Sequence, residues 1–288
     1  MNPPTWREAL AAEKPLLLPV AHDGLSARLI ERAGFKAYSI GGFALVGTRY
    51  ALPDVGLVGL GEMSAGMRDI MAASRLPVLV DGDDGYGDVK NVTRTIRTYE
   101  ELGAAAIFIE DQTSPKRCGH MAGKSVIPAE LMAAKLRAAA AARERGIFLV
   151  ARTDARAVHG LDEALRRGEL YLKSGADGVF IEAPQTLEEL ARVGSEFRHV
   201  PQIANMLEGG GRTPVLPPAE LARLGFAMAA YPTTLLFRIA VAMQDALKDL
   251  RAGRPAPADE LMSFDGFKEI VGFADWAKVE SRIEDPAR

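Results

Sequence analysis

The chain has 288 residues, of which 48% are hydrophobic and 25% charged, and its formal net charge is −3. This balance is typical of a globular protein and excludes a strongly basic nucleic-acid-binding surface. No apolar run approaches the ~20 residues of a membrane span, and the single cysteine excludes an intrachain disulfide framework. Because the amino terminus also lacks the basic-then-apolar order of a signal peptide, we expect a cytoplasmic protein. The length of the chain predicts one or two domains.

Apolar runs and glycines recur along the chain in a regular order. Four times a helical pattern ends on a glycine, at Gly34, Gly103, Gly175 and Gly225, and a short apolar run follows. Four further apolar runs begin at Leu16, Pro77, Ile147 and Pro201. The eight runs are strand candidates. Helical patterns separate them at Gly24–Ala33, Gly61–Ser74, Val89–Leu102, Ala129–Arg143, Leu161–Ser174, Thr186–Glu196 and Pro218–Leu224.

The alternation of strands and helices predicts a parallel sheet with helical crossovers. Eight units indicate closure into a (β/α)8 TIM barrel, and an open doubly wound sheet is the structural alternative. That alternative is weaker because no G-x-G-x-x-G turn follows the first strand. We expect helices to begin at Ser26, Ser64 and Thr186, whose short polar side chains can cap a first turn.

Beyond the eighth unit the chain continues as a carboxy-terminal arm, from about residue 233 to residue 288. A long helical pattern spans Thr233–Leu250, and the last stretch, Leu261–Ile283, carries four aromatic residues. These apolar side chains lie outside a complete barrel and still require burial. We therefore interpret residues 1–288 as one barrel domain with an arm that packs on a neighbouring subunit.

Acidic residues follow several of the predicted strands. Barrel enzymes work at the carboxyl ends of their strands, and those ends carry Asp81, Asp83, Glu110 and Glu182, with Asp54 on the long loop after the second strand. Any one acid can be a cap or a salt-bridge partner. A cluster of like charges at one rim repels unless a cation lies among them, and oxygen-only ligands favour Mg2+ or Mn2+ over zinc.

Two other strand ends offer groups that bind carboxylates. The backbone N–H groups of Gly41 and Gly42 can face an oxyanion, although a purely structural turn explains the pair equally well. Arg152 can form a bidentate clamp on a carboxylate, or a salt bridge to an acid of the rim.

The segment Ala104–Ile127 holds the only cysteine, Cys118. A lone cysteine is usually a small buried hydrophobe. Here Lys116, Arg117 and His120 surround it in sequence, and cationic neighbours lower a thiol's pKa, so we expect a reactive thiol used in proton transfer. The polar loop around it, residues 112–125, is expected to close over bound substrate.

The segments EDQTSPKRCGHMAGK, DGDDGYG, LPDVGL, ARTDA, IEAP and NMLEGG together resemble the isocitrate lyase/phosphoenolpyruvate mutase superfamily, in its methylisocitrate lyase and 2,3-dimethylmalate lyase-like branch. The resemblance runs from about Leu16 to Phe273. It implies a (β/α)8 barrel that forms homotetramers, with the helix after the last strand exchanged between paired subunits.

The resemblance also implies roles for individual residues. Asp81 and Asp83 would hold Mg2+, with Asp54 and Glu110 in its outer shell. Cys118 would be the catalytic acid/base, and Tyr38 would lie near the reacting centre. The substrate-binding residues would be Ile40, Gly41, Gly42, Gly119, His120, Arg152, Glu182 and Asn205, and Ile40 takes a position at which many lyases carry serine.

The activity implied is a Mg2+-dependent carbon–carbon lyase that cleaves a 2-hydroxy di- or tricarboxylate to a 2-oxo acid and a carboxylate. Mutases and hydrolases acting on phosphonopyruvate generally lack the cysteine, which favours carbon–carbon cleavage. Carboxyphosphoenolpyruvate mutase and oxaloacetate acetylhydrolase are the alternatives within the superfamily. Methylisocitrate lyases usually place an arginine near the position of Phe264, which favours a smaller dicarboxylate here. A non-catalytic scaffold would predict a damaged site, yet all the matched acids and Cys118 are present.

Overall fold

The computed structural model describes residues 4–284, and the chain divides into two compact units between Leu236 and Phe237. In the described part of the first unit, eight strands alternate with helices. The strands are β1 Leu16–Pro19, β2 Tyr38–Ile40, β3 Val78–Asp81, β4 Ala106–Glu110, β5 Phe148–Thr153, β6 Gly178–Ile181, β7 Ile203–Asn205 and β8 Met228–Tyr231. The helices are α1 Trp6–Ala12, α2 Gly24–Arg32, α3 Gly42–Tyr50, α4 Leu60–Met71, α5 Val89–Leu102, α6 Ala129–Ala142, α7 Ala155–His159, α8 Leu161–Lys173, α9 Leu187–Glu196 and α10 Pro218–Leu224.

The strands close into a barrel. Every neighbouring pair is parallel, with one sheet in the order β2-β3-β4-β5-β6 and another in the order β1-β8-β7. Parallel bridges from Val20 to Ser39 and from Val179 to Gln202 join the two sheets. The (β/α)8 prediction is therefore confirmed, and the open doubly wound sheet is excluded.

Side-chain alternation along the strands divides the barrel into an apolar interior and a polar rim. One buried cluster contains Leu79, Phe108, Val150, Phe180 and Ile203, which face the barrel axis. Each of these residues is followed two positions later, on the same face, by a polar residue. These polar residues are Asp81, Glu110, Arg152, Glu182 and Asn205. The two-residue period of side-chain direction in a strand thus places five of the predicted site residues at the carboxyl end of the barrel.

The helix ends were predicted in part. Thr186 caps α9 by accepting a hydrogen bond from the Glu189 N–H, and the four helix-terminal glycines adopt positive φ angles, as expected. The predictions for Ser26 and Ser64 were wrong. Asp23 caps α2, with Ser26 at the third helical position of the same capping box, and α4 begins after Gly59. Helix α2 begins at Gly24, as its helical pattern indicates, and α4 begins one residue before its pattern, so the errors concern the capping residues.

Helix α3 was not predicted. It begins directly after Gly41 and occupies much of the stretch that the sequence analysis assigned to a long loop. Its sequence, GFALVGTRY, contains two glycines, which lower helix propensity. Burial of Ala44, Leu45 and Val46 stabilises it in the folded barrel.

The second unit contains most of α11 Thr234–Arg251, a short 3-10 helix Ala258–Glu260, α12 Phe264–Ile270 and α13 Phe273–Glu284. The long helix predicted over Thr233–Leu250 is therefore present. Several apolar side chains of this unit are exposed, with Phe264 at 80% and Trp276 at 73% of full exposure. Among the described residues, none of the helices combines the length and the apolar character that crossing a membrane requires.

Candidate active site

A cavity of about 80 Å³ opens at the carboxyl ends of the strands. Most of the predicted site residues line it, namely Gly41, Gly42, Asp54, Asp81, Glu110, Cys118, Gly119, His120, Arg152, Glu182 and Asn205. Asp83 lies beside the cavity and contacts one of its lining residues, Lys116. The apolar part of the wall includes Phe43, Leu207 and Pro232.

Tyr38 and Ile40 lie outside this cavity, which corrects the expectation for both. Their side chains are fully buried in the cluster that packs the strands against the helices. Because successive side chains of a strand point to opposite faces, the residue of β2 that lines the cavity is Ser39. Its Oγ donates a hydrogen bond to the Leu79 carbonyl oxygen at 3.0 Å.

The acidic residues converge around the amino terminus of α3. Asp81 accepts hydrogen bonds from the Gly42 N–H at 2.8 Å and from the Asp83 N–H at 2.9 Å, one on each carboxylate oxygen. The Lys116 ammonium lies 2.5 Å from Asp54 Oδ1 and 2.6 Å from Asp83 Oδ1. A Cβ at Gly42 would lie only 3.1 Å from Asp81 Oδ2 and 3.3 Å from Lys116 Nζ, so these two side chains would have to shift by a few tenths of an ångström to admit a larger residue.

Burial and mutual repulsion perturb the acids of this cluster. Burial raises the pKa of Asp83 to about 7, and the charges of Asp81 and Asp54 add to the effect while Lys116 opposes it. Burial likewise raises the pKa of Glu110 well above its usual range, against the opposing charge of Arg152. The pKa of Lys116 is raised well above its usual value, because Asp83, Asp81, Glu110 and Asp54 together outweigh the effect of its burial. The four acids outnumber the one lysine, and Asp83 and Glu110 therefore bind protons more readily than exposed carboxyl groups do.

The donor set suits a hard divalent cation. Within residues 4–284, no three His, Cys, Asp or Glu side chains converge closely enough to form a complete metal cage. Mg2+ does not need one, because it usually binds through one or two carboxylates and keeps several waters. Asp54, Asp81 and Glu110 line the cavity, and Asp83 lies beside it in contact with Lys116. Glu110 Oε1 is buried without a hydrogen-bond partner. These residues fit a Mg2+ ion held partly through water.

Arg152 forms the opposite charge centre of the cavity. Its Nε lies 2.9 Å from Asp154 Oδ2 and 3.2 Å from Glu110 Oε2, and its guanidinium packs over the rings of Phe108 and Phe180. The salt bridge to acids of the rim, one of the two interpretations of this residue, is therefore present.

His120 and Glu182 form a second hydrogen-bonded pair in the cavity. The backbone N–H of Arg212 donates to His120 Nδ1 at 3.1 Å, which leaves Nε2 to donate to Glu182 Oε1 at 3.0 Å. Burial alone would raise the pKa of Glu182, but Arg152, His120 and Lys124 outweigh it and hold the pKa at about 2. Glu182 is thus ionised at neutral pH and orients the imidazole.

The environment of Cys118 differs from the expectation. Burial raises the pKa of the thiol, and the charges of Asp54 and Glu182 add to the effect, while a hydrogen bond with the backbone of His120 and the charge of Arg152 oppose it. The prediction of a lowered thiol pKa was wrong, because the Lys116 ammonium points to the acidic cluster and Arg117 is an exposed residue. The thiol therefore stays protonated at neutral pH, which suits a proton donor.

Sequence reasoning assigned no role to three charged or polar residues that shape this site. Lys116 was interpreted only as a neighbour of the thiol, whereas it balances the acids. Lys124 and Asp154 form a buried ion pair at 2.6 Å beside Arg152, and neither was singled out. The signal for Asp154 was present, since it continues the polar end of β5.

Fold and site together define a (β/α)8-barrel enzyme whose cavity combines an acidic cluster, a buried arginine and a protonated thiol. The family model described as phosphoenolpyruvate phosphomutase matches residues 7–251. The chain belongs to the phosphoenolpyruvate mutase/isocitrate lyase superfamily, which confirms the resemblance drawn from its motifs.

Similar proteins cover nearly the whole chain. A 2,3-dimethylmalate lyase of Eubacterium barkeri is 41% identical over 280 residues, covering 95% of each chain. A 2-methylisocitrate lyase of Bacillus subtilis strain 168 is 42% identical over 231 residues, covering 80% of this chain and 75% of its own.

Solved structures share the fold. A crystal structure of 2,3-dimethylmalate lyase superposes with a TM-score of 0.90 at 34% identity, covering 96% of this chain and 93% of the other. A phosphonopyruvate hydrolase in complex with oxalate and Mg++ superposes with a TM-score of 0.85 at 29% identity, covering 96% of both chains.

Proposed function

We propose that the chain is a Mg2+-dependent carbon–carbon lyase, with Mn2+ as an acceptable substitute. Its substrate is a 2-hydroxy di- or tricarboxylate of the 2,3-dimethylmalate or 2-methylisocitrate type, and its products are a 2-oxo acid and a carboxylate. The observation that carries the proposal is the Cys118 thiol, which shares one cavity with the acidic cluster and Arg152 and has a raised pKa. Cleavage of such a substrate leaves a carbanion, and a protonated thiol is an appropriate donor to it.

The metal would be held by Asp81 and Asp83, with Asp54 and Glu110 bonded to its water ligands. When bound, such an ion lowers the pKa of a coordinated hydroxyl group and neutralises an adjacent carboxylate. The names of the two lyase relatives and the Mg++ complex of the hydrolase support this assignment.

The substrate carboxylates would be bound on the other side of the cavity. Arg152 offers guanidinium N–H groups, Asn205 offers an amide, and the backbone at Gly41, Gly42 and Gly119 lies close enough to the cavity to contact a ligand. His120 and Glu182 would fix the position of the loop against the ligand, since their mutual hydrogen bond is already formed.

The proton balance of the reaction assigns one step to Cys118. The substrate hydroxyl gives its proton to solvent water and becomes the carbonyl of the 2-oxo acid, while the C2–C3 bond breaks. The electron pair of that bond passes to C3, where the neighbouring carboxylate stabilises it. The Cys118 S–H then gives its proton to C3, and the thiolate regains a proton from water.

The carboxy-terminal arm would supply the assembly. Exposed apolar residues in α11, α12 and α13, among them Leu247, Phe264 and Trp276, require a covering surface. We propose a homotetramer in which paired subunits exchange this helical region. A monomeric mass in sedimentation at micromolar concentration would contradict it.

A substrate panel tests the activity. The protein is incubated with Mg2+ and with 2,3-dimethylmalate, 2-methylisocitrate and isocitrate, and released pyruvate or glyoxylate is measured. We expect turnover of at least one of these substrates, and none after chelation. Turnover only of carboxyphosphoenolpyruvate, or release of oxalate from oxaloacetate without any lyase activity, would contradict the proposal and favour the two alternative activities.

A further inference from the structure

The two ends of the loop that carries Cys118 are joined to each other. A short antiparallel bridge joins Gln112 to Val126, and the Thr113 N–H donates to the Ser125 carbonyl oxygen at 2.9 Å. Within the loop, the Gln112 side chain exchanges two hydrogen bonds with the backbone of Arg117. These contacts fix the base of the loop, and the Cys118 N–H donates to the Asp54 carbonyl oxygen at 3.1 Å. The segment from Gly119 to Lys124 needs further contacts.

That segment is held by the side chain of Lys124. The ammonium donates to the Gly119 carbonyl oxygen within the loop and lies 2.6 Å from Asp154 Oδ1 on the barrel. The Lys124 side chain is 1% exposed and that of Asp154 is fully buried. The same Asp154 carboxylate accepts from Arg152 Nε at 2.9 Å, so one acid joins the loop to the arginine of the cavity.

We propose that Lys124 and Asp154 form a latch that seats the loop and positions Cys118 and His120 over the cavity. Lys124 and Asp154 are positioning residues, because they act through Gly119 and Arg152. The catalytic consequence rests on the proposed lyase function, whereas the structural consequence does not.

Steric contact explains why the latch must set the loop accurately. A Cβ at Gly119 would lie 2.5 Å from Arg152 Nη2 and 2.6 Å from Glu182 Oε1, so the loop backbone rests directly on two side chains of the site. Lys124 bonds to the carbonyl of this same residue. On the other side, Arg212 holds His120 through its backbone N–H and its Nε, both at 3.1 Å.

The energetics of a buried ion pair suit a loop that must also open. Desolvation of two charges offsets much of their attraction, so such a pair fixes a geometry without adding much net stability. When the loop lifts, Lys124 returns to water and Asp154 keeps Arg152 as a partner. Loss of the Lys124 charge removes the bonds of the loop to Asp154 and Gly119, and loss of the Asp154 charge leaves Lys124 buried without its counter-ion. Either change shifts the balance to the open form.

Cys118 provides a direct readout, because it is the only cysteine in the chain. The experiment compares the rate of iodoacetamide alkylation in the wild type, in Lys124→Met and in a control, Lys90→Met. Lys90 also pairs with an acid, Asp88, but both side chains are exposed. We expect Lys124→Met to react at least about tenfold faster than the wild type, since a charged hydrogen bond that closes the loop is lost. Lys90→Met should match the wild type.

Two further measurements keep the test decisive. Hydrogen exchange should show faster exchange of the amides at 118–124 in Lys124→Met, with the barrel strands unchanged. If that variant misfolds, the isosteric Asp154→Asn tests the same contact and should also increase the alkylation rate. Alkylation of a folded Lys124→Met or Asp154→Asn at the wild-type rate would overturn the latch. Because alkylation requires no turnover, its outcome is separate from whether the lyase assay succeeds.

Discussion

The ammonium of Lys116 lies 2.6 Å from the carboxylate of Asp83, although the two residues are brought together only by the barrel. This contact places Lys116, a buried lysine of the loop, on the acidic cluster rather than on the neighbouring thiol. It has two consequences: the acids have a partial counter-charge from the protein itself, and Cys118 lacks the cation that would have lowered its pKa. The Lys116 side chain thus lies at the proposed metal site and away from the proposed proton donor.

Removal of the metal should abolish the activity. We expect a chelator to stop turnover and added Mg2+ to restore it. Asp81→Ala should be more damaging than Asp54→Ala, because Asp81 is expected to bind the ion directly and Asp54 through water. Steady-state rates at increasing Mg2+ concentrations check both points, and full activity of a chelator-treated sample would falsify the assignment.

Lys116→Met should make the fold depend on Mg2+. Loss of one partner of a buried ion pair costs about 3 kcal/mol, or about 10 °C in Tm for a domain of this size. In the variant, Mg2+ should recover most of this loss, so the increase in Tm on adding Mg2+ should exceed that of the wild type. Thermal unfolding with and without Mg2+ measures this, with Lys90→Met as the control. Equal increases in all three proteins would contradict the role of Lys116.

Gly119→Ala should impair catalysis without unfolding the protein. The added Cβ would meet Arg152 and Glu182 at less than 3 Å, so the loop cannot seat. A displacement of about 1 Å at a reacting group can reduce kcat/KM by about 100-fold. Gly61→Ala in α4 is the matched control, since a Cβ there has open space. A Gly119→Ala variant with wild-type kcat/KM would show that the loop has another seated position.

Glu182 should contribute to stability in a pH-dependent way. Its pKa in the folded protein is about 2, below the usual 4.5, so its contribution is present above pH 4.5 and is lost as the pH falls from there towards 2. Glu182→Gln should therefore reduce the free energy of unfolding at pH 7 by roughly 3 kcal/mol and flatten its decrease below pH 4.5. Urea unfolding at pH 7, 4 and 3 measures this, with the exposed Glu196→Gln as the control. Parallel pH profiles for wild type and Glu182→Gln would contradict it.

The parts of this site that the sequence predicts are those that depend on local pattern. Asp81, Glu110, Arg152, Glu182 and Asn205 follow apolar runs, and the carboxyl ends of parallel strands meet at one rim, so their convergence could be derived. Which side chain of β2 points into the barrel could not be derived from the sequence. All three residues of this strand are buried, so its pattern does not distinguish the inward Ser39 from its neighbours.

The sequence also does not predict which groups the long side chains of Lys116 and Lys124 contact. Lys116 is two residues from Cys118, yet its ammonium contacts Asp54 and Asp83, which are far away in the chain. Lys124 and Asp154 are separated by 30 residues and meet only because the loop folds back over β5. Such contacts depend on the tertiary fold, and the pKa of the thiol depends on them in turn.

The rate of substrate cleavage by Cys118→Ser in the presence of Mg2+ tests the account most directly. Serine is nearly isosteric, but its hydroxyl is far less acidic than a thiol, so loss of the general acid should reduce kcat by about 10²–10⁴-fold. Substrate affinity should change little, since Arg152 and the acidic cluster remain. If Cys118→Ser instead cleaves its substrate at near the wild-type rate, Cys118 is not the proton donor.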